Sequence, residues 1–231
     1  MSLASRVAHK IFPPHLWAQI RVNRAIKKMT RQANHPKYRK RLAEIKQQPV
    51  IKLHLGCGKR IMKGWVNTDL AYTDGVDLQL NFLAPLPFDT ESVDMIYSEH
   101  VLEHFERRDA AGILKECFRI LKKGGKIRVG VPDAEIYFRK YLDNDREFFS
   151  KIKHLGGAME PLEQPIDVIN QMFRMGGAHL FAWDFEAMTK TMQDAGFKNI
   201  IKRQSRESTD ETLLLDDPDH AFETLYVEAE K

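Results

Sequence analysis

The feature that most constrains the fold is a short apolar run that ends in two closely spaced glycines. In residues 51–70, IKLHLGCGKRIMKGWVNTDL, this run leads to Gly56 and Gly58, and a second run stops at Asp69. Glycines directly after a strand allow positive φ and let a ligand approach the backbone closely. A dinucleotide loop would have a third glycine at position 61, where this chain has isoleucine, and the Lys-Ser/Thr pair of a P-loop is missing. The stretch predicts a nucleoside-binding unit without diphosphate-binding features.

Strands alternate with helices along the chain after Pro49, and this pattern is typical of an α/β fold with a mostly parallel sheet. The predicted strands are 51–55, 65–68, 93–97, 126–131, 198–203 and 222–228. The predicted helical segments are about 108–121, 134–182 and 185–195. The first helix ends at KKGG, a sequence typical of a helix C-terminus. The last two strands have no helix between them, which indicates an antiparallel pair at the sheet edge.

Charge divides the chain into two parts. Residues 1–48 contain 12 Lys and Arg and one acid, giving +11, whereas the remainder carries −7. We predict a basic helical extension over 1–48, in which two sets of apolar residues spaced i, i+4, i+7 each define one helical face, and one domain over 49–231. The two sets are Val22, Ile26 and Met29, and Tyr38, Leu42 and Ile45. Such an arm indicates an anionic partner, which could be a lipid surface, nucleic acid, a phosphorylated substrate or the acidic body itself.

Composition narrows the cellular setting. The chain has only two cysteines and no apolar run of roughly 18 residues, the length that suggests a membrane span. The N-terminus also lacks the apolar core of a secretory signal. We therefore expect a cytoplasmic protein without a transmembrane segment, whose basic arm is a candidate for contact with an anionic membrane surface.

Residues 50–231 resemble the class I S-adenosylmethionine-dependent methyltransferases, and in particular the methyltransferase type 11 group. The similar segments are the glycine loop with Asp69, then LNFLAPLPFDTESVDMIYSEHVLEHF, then ILKECFRILKKGGKIRVGVPD. AWDFEAMTKTMQDAGFKNI and ETLYVEAEK resemble the tail of a bacterial subfamily often linked to polysaccharide synthesis. The resemblance implies a Rossmann-like three-layer sandwich, with a mostly parallel seven-stranded sheet and an antiparallel last strand.

The resemblance also implies S-adenosyl-L-methionine as cofactor and a set of residues that hold it. In that interpretation Asp69 binds the ribose, Leu70 packs on the adenine and Asn81 accepts from the adenine amino group. The full set of candidates is His54, Gly56, Cys57, Gly58, Asp69, Leu70, Asn81, Phe82 and Ser98. Two positions depart from the family pattern, because His54 stands where an acid is usual and Arg60 replaces the third glycine.

Catalytic candidates lie after the fourth and fifth strands. A hydroxyl nucleophile benefits from a general base near neutral pKa, so His100 is the first candidate, with Glu99 and Asp133 as alternatives. The HVLEH sequence at 100–104 has the spacing of a zinc protease motif, but it follows a buried strand instead of lying on a long helix. We therefore predict no metal site from the sequence. Within the helical segment 134–182, which we expect to cap the acceptor, His179 is a second candidate base.

These observations predict an S-adenosylmethionine-dependent methyltransferase that methylates an oxygen of a saccharide, a lipid-linked glycan or another small molecule. An RNA methyltransferase using the basic arm is the alternative enzyme, although the fourth strand ends in YSEH and not in N-P-P-[YF]. A non-catalytic module with the same fold is the third possibility. Cofactor binding separates that module from both enzymes.

Overall fold

The computed structural model describes residues 35–71, 73–155 and 161–231. None of the helices within these ranges is long and apolar enough to cross a membrane. The strands are β1 (Lys52–Leu55), β2 (Val66–Asp69), β3 (Leu78–Gln79), β4 (Val93–Glu99), β5 (Leu121–Pro132), β6 (Lys198–Arg203) and β7 (Thr224–Glu230). The helices are α1 (Pro36–Lys46), α2 (Arg107–Ile120), α3 (Ala134–Leu142), α4 (Arg146–Leu155), α5 (Pro165–Arg174) and α6 (Phe185–Ala195).

The seven described strands form one sheet in the order β3-β2-β1-β4-β5-β7-β6. The pairings from β3 through β5 are parallel, and β7 runs antiparallel to both β5 and β6. This is the predicted Rossmann-like sheet with an antiparallel last strand. The chain reverses direction across the sheet between β1 and β4, and in such folds ligands bind beyond the carboxyl ends of the strands at this point.

Most strands and helices lie where the sequence places them. The sequence analysis did not predict β3, because a strand of two residues is too short to show an alternation of apolar and polar residues. The predicted helix range of about 108–121 is confirmed to within one residue, but the predicted glycine cap at KKGG is wrong. Helix α2 stops at Ile120, and the next residue, Leu121, is already extended and buried in β5, where it pairs with Val93.

The two glycines of KKGG serve the sheet instead of capping the helix. Gly124 has φ +73°, and its amide donates to the carbonyl of Lys231 over 3.0 Å. A side chain on Gly125 would lie 2.8 Å from the carbonyl oxygen of Lys122. The lysine–glycine pattern is similar in a helix C-terminus and a kinked strand, and long-range pairing decided between them.

Three apolar clusters hold the described residues together, the smallest of which joins Met62, Trp65, Tyr97 and Leu213. The main cluster lies between the sheet and its helices, and α1 contributes the fully buried Ile45 to it, with Tyr38 and Leu42 packed alongside. This is the face predicted from their i, i+4, i+7 spacing. The second cluster joins α3, α4 and α5 within the predicted cap and includes Phe149 and Val168. The cap therefore has its own core beside the carboxyl ends of the strands. The predicted helix face of Val22, Ile26 and Met29 lies outside the described residues.

Candidate functional site

A cavity of about 350 Å³ opens beyond the carboxyl ends of β1 and β4. Five parts of the chain line it: the glycine loop after β1, the segment 99–104, the end of β5, the cap segment and the loop before β7. Its volume is within the range of ligand pockets, about 300–1,000 Å³. The cap side is largely apolar and includes Ile152, Val168 and Met172, whereas the side nearer the sheet carries histidines and carboxylates.

The two glycines of the loop have different structural roles. A Cβ on Gly56 would lie 2.1 Å from Cγ2 of Val101, so this position is kept small by packing. A Cβ on Gly58 would meet no atom of the described residues within 4 Å, although φ there is +52°. Gly58 is therefore the position that leaves the backbone open to a ligand.

Asp69 ends β2 beside Gly58. One carboxylate oxygen accepts from the amide of Gly58 over 2.9 Å, and the other accepts from the amide of Ala71 over 2.8 Å. Since a carboxylate offers about four acceptor sites, two remain for a ligand. An open glycine backbone beside a half-buried carboxylate fits a nucleoside whose ribose hydroxyls donate to Asp69.

Arg60, which stands where the methyltransferase pattern has its third glycine, ties the loop to the rest of the site. Its guanidinium pairs with the buried carboxylate of Glu99, lies 3.5 Å from Asp217 and donates to the carbonyl of Leu215. Glu99 also accepts from the hydroxyl of Tyr226 over 2.7 Å and from the amide of Asp217. Glu99 lines the cavity but is already engaged by three partners, which suits a structural anchor better than a free base.

His54 is an interior side chain on β1. Its Nδ1 lies 3.2 Å from Oδ1 of Asn67, and its ring packs against Tyr97. Desolvation lowers the pKa of His54 to about 4, so the imidazole is neutral at pH 7. A neutral ring in this place supports the sheet beneath the glycine loop but supplies no charge to a ligand.

Replacing His54 with glutamine is expected to flatten the acid side of the stability profile. The unfolded chain protonates this histidine near pH 6.5, whereas the folded chain resists until about pH 4, so wild-type stability falls as the pH drops between these values. The loss attributable to His54 is about 3 kcal/mol at most. Urea unfolding of both proteins at pH 7, 5.5 and 4.5 measures it, and parallel profiles would contradict the assignment.

The other cofactor candidates occupy varied positions. Asn81 accepts from the amide of Leu83, and the carbonyl of Leu70 accepts from the side chain of Gln79. Phe82 and Ser98 are buried beside the main core. Cys57 lines the cavity, and burial raises the pKa of its thiol to about 11, so it stays protonated.

His100 stands at the cavity with a left-handed backbone, φ +54°, which is uncommon for histidine. Its Nε2 lies 2.9 Å from the hydroxyl of Thr224, which itself donates to the carbonyl of His220. Nε2 must therefore be the donor. Burial disfavours the imidazolium, but the carboxylate of Glu103, 3.3 Å from Nδ1, outweighs it and raises the pKa of His100.

His220, another histidine at the cavity, was not singled out from the sequence. His220 faces His100, with 4.7 Å between ring centroids, and its Nδ1 contacts the carboxylate of Glu223. The hydroxyl of Tyr137 donates to the other oxygen of Glu223. This pairing leaves Nε2 of His220 as the nitrogen with a lone pair. The H-x-x-E spacing just before the last strand is the signal that could have identified it.

Asp133 lies away from the cavity. It caps α3 by accepting from the amide of Glu135 over 3.0 Å, and Lys202 pairs with its other oxygen at 3.1 Å. Its side chain lines a separate cleft with Lys202. The structure thus brings His100 and Glu99 together at the cavity, but not Asp133.

Comparison with known proteins agrees with this geometry. Residues 53–129, from β1 through most of β5, match the family model described as a methyltransferase domain. This part of the chain is therefore similar to a methyltransferase domain.

The relatives are distant or matched over short segments. A protein of Mycolicibacterium smegmatis named "probable S-adenosylmethionine-dependent methyltransferase" is 40% identical over 58 residues, covering 25% of this chain and 22% of that protein. A SAM-dependent methyltransferase from Archaeoglobus fulgidus has 12% identity and a TM-score of 0.49, covering 90% of this chain and 94% of its own. A SAM-dependent methyltransferase from Thermotoga maritima has 17% identity and a TM-score of 0.47, covering 89% and 95%.

Proposed function

We propose that the protein transfers a methyl group from S-adenosylmethionine to a hydroxyl oxygen of a small organic acceptor. The observation that carries this proposal is that one cavity joins the glycine loop to a cluster of histidines and carboxylates. S-adenosylmethionine supplies a methyl group on a sulfonium, so transfer releases a neutral thioether. The remaining tasks are to place the acceptor in line, exclude water and remove the hydroxyl proton.

In this proposal Gly58 and Asp69 hold the nucleoside. Gly58 leaves room along the backbone, and Asp69 keeps two acceptor sites for the ribose hydroxyls. Arg60 neutralises Glu99 and so fixes the loop in place.

His220 is the general base of this proposal. Glu223 holds its Nδ1–H, which directs the lone pair on Nε2 outward, the arrangement by which a carboxylate orients a basic imidazole. His100 is not the base, because its Nε2–H already donates to Thr224 and its Nδ1 faces the carboxylate of Glu103. The apolar cap side of the cavity favours an acceptor with an apolar body, and the polar side would receive its hydroxyl.

Isothermal titration calorimetry with S-adenosylmethionine and S-adenosylhomocysteine is the first test. We expect both compounds to bind at one site per chain, because both contain the nucleoside that Gly58 and Asp69 are proposed to hold. Absence of binding to the full chain would remove the enzymatic proposal. A screen with labelled methyl donor against hydroxylated apolar compounds, saccharides, lipid-linked glycans and RNA then identifies the acceptor. Exclusive labelling of RNA would contradict the proposed acceptor class.

Replacing His220 with alanine is expected to lower kcat by about 100-fold or more, the usual contribution of a general base. The Kd for S-adenosylmethionine should change by less than about threefold, because His220 is not assigned to nucleoside binding. His100→Ala, tested in parallel, measures what the neighbouring histidine contributes to turnover. His154→Ala is the control, since His154 is exposed on α4 and outside the cavity lining. Equal losses of kcat and affinity in His220→Ala would place it in the cofactor pocket instead.

A further inference from the structure

We propose that Glu103, His104 and His179 form a binding site for a divalent transition-metal ion at the wall of the cavity. Each residue has a ligand-type atom within 4.8 Å of those of the other two. All three line the same cavity. Two imidazoles and one carboxylate are a donor set suited to Zn²⁺ and similar ions.

The carboxylate of Glu103 is the observation that points to a missing ligand. Its side chain is 2% exposed, yet neither oxygen receives a hydrogen bond from any described residue. His100 lies 3.3 Å from one oxygen at ion-pair distance, but without hydrogen-bond geometry. A buried carboxylate is costly unless its lone pairs are engaged, and a cation at this point would engage them.

The hydrogen bonds of both histidines engage one ring nitrogen and leave the other to bind a metal ion. Nδ1 of His104 lies 3.0 Å from the carbonyl of Ala178, and Nδ1 of His179 lies 2.6 Å from the carbonyl of Met172. A carbonyl oxygen only accepts, so each Nδ1 must carry the proton and each Nε2 keeps its lone pair. A backbone carbonyl behind the ring is a common support for a ligating imidazole.

The backbone holds the two halves of the site together. The amides of Leu180 and Phe181 donate to the carbonyl of Glu103 over 2.8 and 3.3 Å. This places the segment after the cap helices against the segment after β4. Zinc ligands lie about 2.0–2.2 Å from the ion, so binding would draw these side chains closer together. The exposed ring of His104 has the freedom to move.

The neighbouring cluster of His100, His220 and Glu223 has the same ligand types but is already satisfied. Both oxygens of Glu223 accept, one from Tyr137 and one from His220. Nε2 of His100 donates to Thr224. Of the two buried carboxylates, the one that receives no hydrogen bond from the described residues is therefore that of Glu103. With three protein ligands, the ion would keep an open coordination position. If the protein acts as proposed above, an oxygen of the acceptor would bind there.

The test is titration of the chelator-treated full chain with Zn²⁺, in competition with a chromophoric chelator, and with Co²⁺, followed by its visible absorption. We expect one equivalent of either ion to bind, and Co²⁺ to show a low-coordinate spectrum. His104→Gln and Glu103→Gln should each weaken binding by more than the ~10–100-fold that loss of a supporting partner costs. His104 is exposed, so its variant should fold even where a buried change at Glu103 does not.

His154→Gln is the matched control and should leave binding unchanged. Absence of stoichiometric binding of both ions would overturn the proposal. So would a loss of binding in His220→Gln without a loss in His104→Gln, because the ion would then occupy the other cluster. The titration needs neither cofactor nor acceptor, so its failure is distinguishable from failure of the methyltransferase proposal.

Discussion

Replacing Arg128 with methionine is expected to lower the free energy of unfolding by about 3–5 kcal/mol, the usual cost of removing one partner from a buried ion pair. Arg128 lies on β5 and is fully buried. Its Nε and Nη2 form a bidentate pair with Asp216 at 2.8 and 2.6 Å, and its Nη1 donates to Glu228 over 2.7 Å. The methionine variant would leave the buried carboxylate of Asp216 without its cation, whereas Glu228 would keep Arg203 at 3.1 Å.

The remaining N–H groups of Arg128 bind the backbone of the loop before β7. They donate to the carbonyls of Gln204 and Glu207 over 3.2 and 2.9 Å, so all five donors are used. Because the same loop continues to Asp217 beside Arg60, its anchoring also supports the cavity wall. Lysine has a different donor geometry, and Arg128→Lys should not restore stability.

Urea or guanidinium unfolding followed by circular dichroism measures the effect. Arg139→Met is the matched control, because it removes an arginine–glutamate pair on the exposed face of α3. Its unfolding midpoint should stay close to that of wild type, as expected for a surface ion pair. Similar midpoints for the two variants would show that the buried network contributes little.

Replacing Gly58 with alanine is expected to weaken binding of S-adenosylmethionine by roughly 10- to 100-fold, which corresponds to an overpacking cost of about 1–3 kcal/mol. The added methyl group would occupy the open space over the loop where the nucleoside is proposed to lie. Calorimetry with S-adenosylhomocysteine provides the affinity, and circular dichroism confirms that the variant is folded.

Gly64→Ala provides a matched control for backbone strain. Gly64 has φ +80° and, like Gly58, has no described atom within 4 Å of an added Cβ, but it precedes β2 and is not the residue whose amide donates to Asp69. Both variants should lose roughly 1–2 kcal/mol of stability from the left-handed backbone. Only Gly58→Ala should lose affinity. Equal affinities in the two variants would show that the ligand does not approach Gly58.

Several features of the fold were readable from local sequence. Buried parallel strands are short apolar runs, and Lys52–Leu55 and Val93–Glu99 lie where those runs predict them. Helix α6 spans Phe185–Ala195, the range predicted from the sequence, and Asp184 caps its start. These signals depend on neighbours within one or two turns, which is why sequence alone identifies them.

Other features depended on distant parts of the chain. The KKGG sequence became part of β5 because Leu121 found a partner in Val93 and the end of β7 bonded to Gly124 and Gly125. Asp133 follows the fifth strand as a catalytic candidate would, but Lys202 on β6 and the start of α3 engage its carboxylate. No local pattern distinguishes these outcomes.

The sequence by itself determined the α/β class and the strand–glycine–strand unit that contains Gly58 and Asp69, because these depend on residues close together in the chain. Only the tertiary structure decided which titratable groups share the cavity. His179 reaches Glu103 through the packing of the cap, and His220 reaches His100 through the antiparallel return of β7. Contacts between residues this far apart follow from the packing of whole elements, which no single segment encodes.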